Sequence, residues 1–364
     1  MALWVRFRDE LDIESFGVLQ DGGSIGVYDG DMFNNPAPSG ASVSLGAVRL
    51  LTPTRPSKVI ALWNNFRAGA EKLNLSIPAE PHYFLKTPNS YLNPFETIRK
   101  PKSCDGKVGF EGELGVVIGK TCKEVAESDA MNYIFGYMNF IDGSARGLPP
   151  AGNTFYQMKS RATFAPTGPF LVTADEITDP HNLQVRLWNN GVLMQNYRTS
   201  DMAHKIPRCI EWVSSIHPLE PGDIFALGTN HRGLNPFQDG DSIEIETEPL
   251  GRLRVKIRDD LKRTWARETR SGSTTLTGAR SRRALTPISC SSKYRWPEVS
   301  AYERIDVGDH GCARCAGDGA VWRQSHSPGR STGVDSRDRR CDRLRRPQRA
   351  GRPVASGHAP AGRP

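Results

Sequence analysis

The sequence has no long apolar run and few cysteines. No window approaches the roughly 18 apolar residues that a membrane-spanning helix needs, and Met1–Arg8 reaches charged side chains without the apolar run of a signal peptide. Three of the seven cysteines (Cys104, Cys122 and Cys209) are scattered through the first 260 residues at no zinc-ligand spacing. We therefore expect a cytoplasmic protein with reduced thiols and no membrane segment.

The C-terminal part lacks apolar side chains and is rich in arginine. Residues 261–364 contain no Phe or Met and only 16 Val, Ile, Leu, Tyr and Trp residues. They hold 22 basic and 9 acidic side chains, a net charge of +13, whereas the first 260 residues hold 26 basic and 31 acidic ones, a net charge of −5. Because so little apolar surface cannot offset the conformational entropy of ordering, we expect a disordered tail that takes no part in the chemistry.

Two binding hypotheses rest on this tail. Cys312 and Cys315, with His310 and His326 nearby, could begin a zinc site, but no second ligand pair follows at a defined spacing. Runs of arginine between residues 339 and 352 could neutralise nucleic-acid phosphates, although no aromatic residue is interleaved with them. With 20 Arg against 2 Lys, the composition is typical of a GC-rich gene read in a shifted frame. We favour this last interpretation over nucleic-acid binding.

The first 260 residues predict an α+β, mostly β fold without regular βαβ alternation. Short apolar pieces separated by Asp-Gly turn signals predict a small N-terminal β domain at residues 1–54, followed by a catalytic domain at residues 55–260. Helices are predicted from about Asn65 to Leu73 and at Ala130–Phe135, and a hairpin turn at Asn189-Asn190-Gly191. Strands are predicted at Lys58–Leu62, Gly106–Gly119, Gly136–Ile141, Phe170–Thr173, Leu183–Trp188, Ile224–Gly228, Ser242–Glu246 and Leu253–Ile257.

Three acidic residues stand out in this domain. Glu111 and Glu113 project from one face of a predicted strand, where two like charges repel unless a cation neutralises them or the face is solvated. Asp142 ends another predicted strand and leads into Gly143–Arg146, predicted as a turn that displays both Asp142 and Arg146. Three carboxylates completed by water suit a hard cation such as Mg²⁺ or Mn²⁺.

A series of motifs in residues 1–260 resembles the fumarylacetoacetate hydrolase family in order and spacing. The segments that carry the resemblance are Phe110–Gly119 (FEGELGVVIG), Asp142–Arg146 (DGSAR), Lys159-Ser160, Thr163–Pro169 (TFAPTGP), Leu171–Thr173 (LVT), Leu219–Asp223 (LEPGD) and Gly228-Thr229. One such motif alone would be a weak signal. The series implies the family's fold, a mixed β-roll preceded by a small N-terminal β domain.

The resemblance also implies site residues and chemistry. Glu111, Glu113 and Asp142 match the family's metal triad, which holds Mg²⁺ or, in some members, Mn²⁺ or Ca²⁺. Arg146, Lys159 and Thr229 match positions that bind the substrate, a small 2-oxo or β-diketo acid of aromatic or organic-acid catabolism. Members hydrolyse C–C bonds, decarboxylate such acids or isomerise and hydrate unsaturated dioates, and they are commonly homodimers. Without the family, Arg146 would be interpreted as a surface ion-pair partner and Lys159 as an exposed lysine, and Thr229 could equally be an ordinary turn residue.

One departure concerns the catalytic histidine of family hydrolases. Gly69 stands where this histidine belongs, and the position of its glutamate partner is also lost. His82 and His231 are the nearest substitutes, and His231 is the better candidate because it follows Thr229 closely. Because the usual base for activating water is missing, we favour decarboxylation or keto–enol isomerisation, with Lys159 moving a proton, over fast hydrolysis. A family member that binds metal and ligand without turnover, and a nucleic-acid-binding protein, remain the alternatives.

Overall fold

The computed structural model describes residues 2–231 and 234–267, and these form the predicted α+β, mostly β fold. Within this described part, no helix combines the length and apolarity that crossing a membrane would require. The helices are α1 (Arg67–Leu73), α2 (Phe155–Lys159) and α3 (Ile206–Ile216). The strands are β1 (Leu3–Arg8), β2 (Glu14–Leu19), β3 (Ser24–Asp31), β4 (Asn34–Ser44), β5 (Arg49–Leu50), β6 (Val59–Trp63), β7 (His82–Lys86), β8 (Tyr91–Leu92), β9 (Thr97–Arg99), β10 (Val108–Ile118), β11 (Ile134–Ala145), β12 (Ala165–Thr173), β13 (Gln184–Asn189), β14 (Val192–Arg198), β15 (Ile224–Ala226), β16 (Ser242–Thr247) and β17 (Arg252–Arg258).

Twelve strands form one large mixed sheet, in the order β4-β3-β2-β1-β12-β11-β10-β15-β6-β7, with β5 beside β1 and β8 beside β12. Its first four strands come from the predicted N-terminal domain and join the rest through the antiparallel pairing of β1 with β12. Both predicted regions therefore share one sheet, and the domain division at residues 54 and 55 stays a prediction.

Strands β10 and β11 lie in the middle of the large sheet and are buried on both faces. Neighbouring residues of β10 contribute to opposite sides, since Val116 packs in one apolar cluster and Val117 in the other. Glu111 and Glu113 share the face of Val117, so the acidic pair points towards the cluster that also contains Phe84 and Phe140. An acidic pair buried there cannot be a solvated strand face.

The smaller sheet has five strands in the order β14-β13-β16-β17-β9. Burial alternates along β16 and β17, as the period of a half-buried strand requires. The hairpin predicted at Asn189-Asn190-Gly191 is confirmed between β13 and β14. Asn190 and Gly191 both have positive φ, at 50° and 75°, which a tight two-residue hairpin turn requires.

Two predictions from the sequence were wrong in part, and one helix was missed. The helix predicted at Ala130–Phe135 is only a short 3-10 turn, Ala130–Tyr133, because Ile134 already begins the central strand β11. This strand continues to Ala145, so Asp142 and Gly143 lie within a strand rather than before a turn. Helix α3 was not predicted, although its buried residues Ile206, Cys209, Ile210 and Val213 have helical spacing.

Most predictions on the C-terminal tail cannot be compared with the structure. Residues 261–267 of the predicted tail are described, and Arg263 and Arg267 pair with Asp259 and Asp241 there, whereas the Cys-x-x-Cys pair, the arginine runs and the rest of the predicted disorder lie outside the described residues. The three cysteines of the first 260 residues are free and buried, as the prediction of reduced thiols requires.

Candidate active site

The three predicted metal ligands come together on two paired strands. In the antiparallel register of β10 and β11, Glu111 lies directly opposite Asp142, and Glu113 follows on the same face of β10. All three side chains are at least 95% buried, and their carboxylate oxygens lie within 4.8 Å of one another. The strand pairing, rather than the predicted turn, therefore assembles the acidic triad.

Two cationic side chains of the predicted site contact this triad. The ammonium of Lys159, at the end of α2, donates to Glu111 Oε2 over 2.6 Å and to Asp142 Oδ2 over 2.5 Å. The Arg146 guanidinium donates to Glu111 Oε1, and its side chain remains 42% exposed. Lys159 thus lies inside the site, as predicted for a substrate-binding or catalytic group, and Arg146 stands at its rim.

The two glutamates of the triad differ in their electrostatic environment. Burial alone would raise the pKa of Glu111, but the charges of Lys159 and Arg146 outweigh it and lower that pKa below its ordinary value. Burial and the neighbouring charges of Asp142 and Glu111 raise the pKa of Glu113 well above its ordinary value. An ionised Glu113, which accepts the Gly228 N–H over 2.8 Å, therefore requires further positive charge beside it.

Lys86, at the end of β7, is a residue of this site that the sequence analysis missed. Its fully buried ammonium donates to Asp142 Oδ1 over 2.6 Å and to the backbone carbonyl of Lys159. It therefore joins the strand that carries Asp142 to the helix that carries Lys159. No apolar–polar alternation marks Lys86 in the sequence, since in β7 the apolar Leu85 is 51% exposed while Lys86 is buried.

We expect Lys86→Met to lower the free energy of unfolding of the metal-free protein by about 3 kcal/mol, measured by urea denaturation. This is the low end for a broken buried ion pair, because Lys159 still faces Asp142. The control is Lys102→Met, since Lys102 pairs with Asp260 at the surface, where both side chains are largely exposed, and should leave the midpoint nearly unchanged. Equal effects of both variants would contradict the role assigned to Lys86.

Thr229 is held at the site by a network that also fixes β10. Gln195 Nε2 donates to Thr229 Oγ1 over 2.8 Å, while Gln195 Oε1 accepts the Gly112 N–H over 2.9 Å. The Tyr197 hydroxyl donates to the Gly112 carbonyl over 2.6 Å. Because Gly112 lies between the two triad glutamates, Gln195 orients the Thr229 hydroxyl relative to the triad. The sequence analysis missed Gln195 and Tyr197. Both lie on β14 of the smaller sheet and reach the site only because the two sheets pack against each other.

His231 occupies the space next to Gly69, the residue found where family hydrolases carry their histidine. A β-carbon placed on Gly69 would lie 3.3 Å from Cδ2 of the His231 ring. The backbone of His231 has a positive φ of 52°, and the Lys72 ammonium donates to its carbonyl over 2.8 Å. Burial lowers the pKa of His231, opposed by Glu111 and reinforced by Lys159 and Arg146. The imidazole is therefore held near the triad in its neutral form.

A cavity of about 400 Å³ brings these groups together, within the range of roughly 300–1,000 Å³ typical of small-molecule sites. The predicted residues that line it are Glu111, Glu113, Arg146, Lys159, Thr229 and His231. Asp142 lies behind Lys159, which it contacts. His82 lines a neighbouring cavity instead, stacked on Trp63. Of the two candidate histidines, only His231 therefore faces the triad.

Comparison with known proteins identifies the family of this chain. The model of the fumarylacetoacetate (FAA) hydrolase C-terminal domain matches residues 58–258, and a model described as Rv2993c-like, N-terminal, matches residues 3–53. The mitochondrial oxaloacetate tautomerase fahd2 of Xenopus laevis is 37% identical over 221 residues, which cover 58% of this chain and 69% of that protein.

Two solved structures are similar throughout their own length. The 5-carboxymethyl-2-hydroxymuconate delta-isomerase of Mycobacterium smegmatis is 34% identical with a TM-score of 0.65, covering 71% of this chain and 100% of that one. The maleylpyruvate hydrolase of Sphingobium sp. SYK-6, in complex with manganese(II) and pyruvate, is 29% identical with a TM-score of 0.59, covering 71% and 99%. The chain thus belongs to the fumarylacetoacetate hydrolase family, whose members include isomerases, tautomerases, decarboxylases and hydrolases of organic acids.

Proposed function

We propose that this protein is a divalent-metal-dependent enzyme that forms an enolate from a 2-oxo or β-diketo acid, in tautomerisation or decarboxylation. The observation that carries the proposal is the buried triad, whose two glutamates share one cavity with a neutral imidazole and with the lysine ammonium that contacts Asp142. These are the parts that moving a proton next to a carbonyl group requires. The homodimer and the cytoplasmic location stay predictions.

Glu111, Glu113 and Asp142 would hold the cation. Their oxygens are close enough to share one ion, and the raised pKa of Glu113 marks a carboxylate that lacks positive charge when ionised. An all-oxygen ligand set suits Mg²⁺, Mn²⁺ or Ca²⁺, and the manganese in the maleylpyruvate hydrolase complex supports a hard divalent ion. When bound, such an ion supplies Lewis acidity that stabilises the negative charge of an enolate oxygen.

Arg146 and Thr229 would orient the substrate. The guanidinium has five N–H donors in a planar fork, so its contact with Glu111 leaves donors for a substrate carboxylate at the exposed rim. The Thr229 hydroxyl, whose oxygen accepts from Gln195, can donate its own hydrogen to a substrate oxygen. Fixing the acid at both groups would hold the carbon next to the oxo group near His231.

His231 and Lys159 would move the proton. Their environments push the two pKa values apart, which is the usual mark of a base and an acid in one site. Burial leaves His231 neutral, so its imidazole can take a proton from carbon. For Lys159, burial would lower the pKa, but Asp142 and Glu111 outweigh it and raise that pKa, so the ammonium can donate a proton or a hydrogen bond.

Hydrolysis of a C–C bond is the second candidate function, supported by the maleylpyruvate hydrolase among the similar structures. The position of His231 against Gly69 favours a working base over a site that only binds metal and ligand. Nucleic-acid binding depends on the tail, which lies outside the described residues.

The test is to compare the two reactions on one preparation of the full chain with Mg²⁺ or Mn²⁺. We expect enol–keto conversion and decarboxylation of oxaloacetate, followed by ultraviolet absorbance, to exceed hydrolysis of acetylpyruvate at least about tenfold in kcat/KM. The reason is that the position of the glutamate that partners the usual histidine is lost, so His231 would have to activate water without that partner. The reverse order would assign the protein to the hydrolases of the family.

A further inference from the structure

One wall of the active-site cavity is built from the three aromatic rings of Trp63, Phe84 and Phe155, here called the aromatic wall. The rings of Phe84 and Phe155 stack with centroids 4.6 Å apart and an interplanar angle of 4°. The Trp63 ring lies 6.2 Å from that of Phe155. Because the Lys159 ammonium lies 5.3 Å from the Phe84 ring centroid, the aromatic wall begins directly beside the triad.

The aromatic wall continues into a second, largely open cavity of about 580 Å³. Trp63 and Phe155 line both cavities, and Pro81, His82 and Tyr83 complete the second. The Phe155 side chain is 39% exposed although it is large and apolar. Phe155 and Lys159 stand four residues apart on α2, so they lie on one face of this helix. An accessible aromatic surface thus adjoins the ammonium of the site.

The positive charges of the two cavities are confined to the triad end. Among the described residues that line them, the Lys and Arg side chains are Lys159 and Arg146, and both contact Glu111. The aromatic wall itself carries neither. A second substrate carboxylate placed against it would lose water without gaining a cation, whereas an aromatic ring there would bury apolar surface.

We propose that the site selects 2-oxo acids whose far end is an aromatic ring, with the ring lying on the aromatic wall. The inference rests on the proposed function only for placing the oxo-acid head at the triad. It adds the substrate class, aryl-substituted 2-oxo acids such as phenylpyruvate, in preference to oxo acids with a second carboxylate. Phe155, from the helix that ends in Lys159, is the specificity-determining residue.

The test uses binding, which requires no turnover. Calorimetry on the full, Mn²⁺-loaded chain compares phenylpyruvate with pyruvate, which has the same head without the ring, and with 2-oxoglutarate, which carries a distal carboxylate. We expect phenylpyruvate to bind at least about tenfold more tightly than pyruvate, as burial of a phenyl ring predicts, and 2-oxoglutarate to bind no better than pyruvate.

Two Phe155 variants and one neighbour locate the effect. Phe155→Ala should remove the preference for phenylpyruvate while leaving pyruvate affinity within about twofold, and Phe155→Leu should retain part of it. Tyr156→Ala is the matched control, because Tyr156 is 67% exposed on the same helix and lines neither cavity. Thermal melting of each variant checks that the fold is kept.

Tighter binding of 2-oxoglutarate than of phenylpyruvate would overturn the inference. So would no binding of phenylpyruvate, or an equal loss of pyruvate and phenylpyruvate affinity in Phe155→Ala. Failure of the proposed function gives a different result. The chain would then keep the binding preference for phenylpyruvate but would not accelerate, above the rate without protein, the exchange in deuterated water of the hydrogens on the carbon next to its oxo group.

Discussion

Glu113→Gln should weaken Mn²⁺ binding by more than about 100-fold, since loss of a direct ligand should exceed the roughly 10- to 100-fold cost of losing an outer-shell partner. The substitution keeps the shape of the side chain but removes its charge. Its amide also suits the metal-free site, where burial beside Asp142 and Glu111 raises the pKa of the native carboxyl. We therefore expect the melting temperature of the metal-free variant to equal or exceed that of the metal-free parent chain. The substitution would then weaken metal binding without lowering the stability of the fold.

Calorimetric titration of metal-stripped protein measures this affinity. Glu127→Gln is the control. Glu127 is exposed, so this substitution removes the same formal charge at a position away from the triad. The assignment of the metal site is wrong if Glu113→Gln binds Mn²⁺ as tightly as the parent chain.

His231→Ala should lower kcat for enol–keto conversion by about 10²–10⁴-fold, the usual contribution of a positioned general base. Binding of the substrate and of Mn²⁺ should change little, because Arg146, Thr229 and the triad remain. His217→Ala is the control. His217 follows α3, and its ring Nδ1 lies 3.0 Å from the carbonyl of the neighbouring Pro218. Stopped-flow absorbance on both variants gives the rates.

A second substitution tests whether His231 replaces the histidine that Gly69 lacks. A Gly69 β-carbon would lie 3.3 Å from the His231 ring and also 3.3 Å from the Asn230 backbone, so a side chain at residue 69 competes with His231 and requires a small shift of that backbone. Gly69→His should therefore impair the parent chain but restore part of the rate to His231→Ala. If the double variant stays as slow as His231→Ala while folding normally, the base has another origin.

The sequence predicted the strand that carries Glu111 and Glu113. Since side chains two residues apart on a strand share a face, it also predicted that both carboxylates lie on one face. It could not predict that Asp142 lies directly opposite Glu111, since register between strands depends on tertiary pairing. The small residues after Asp142 suggested a turn. In the structure they continue β11, because they pair with the start of β10 as far as Val108 opposite Ala145.

Residues contributed by separate elements were the hardest to predict. Lys86 is one lysine in a short edge strand, and only the fold brings its ammonium to Asp142. The aromatic wall likewise draws Trp63 from β6, Phe84 from β7 and Phe155 from α2, with no common spacing in the chain. His231 could be proposed from its closeness to Thr229, but its contact with Gly69 spans more than 160 positions and required the structure.

The most direct test of the central claim follows enol–keto conversion of oxaloacetate while Mn²⁺ is titrated into metal-stripped full-length protein, in parallel with Glu113→Gln. If the triad binds the cation on which enolate formation depends, the metal-stripped parent chain will be inactive. Its rate will return as Mn²⁺ is added, and the Mn²⁺ concentration at half recovery will equal the dissociation constant that calorimetry gives. The variant will stay inactive over that range. Undiminished conversion by the stripped parent chain, or full recovery of Glu113→Gln at the parent midpoint, would contradict the account.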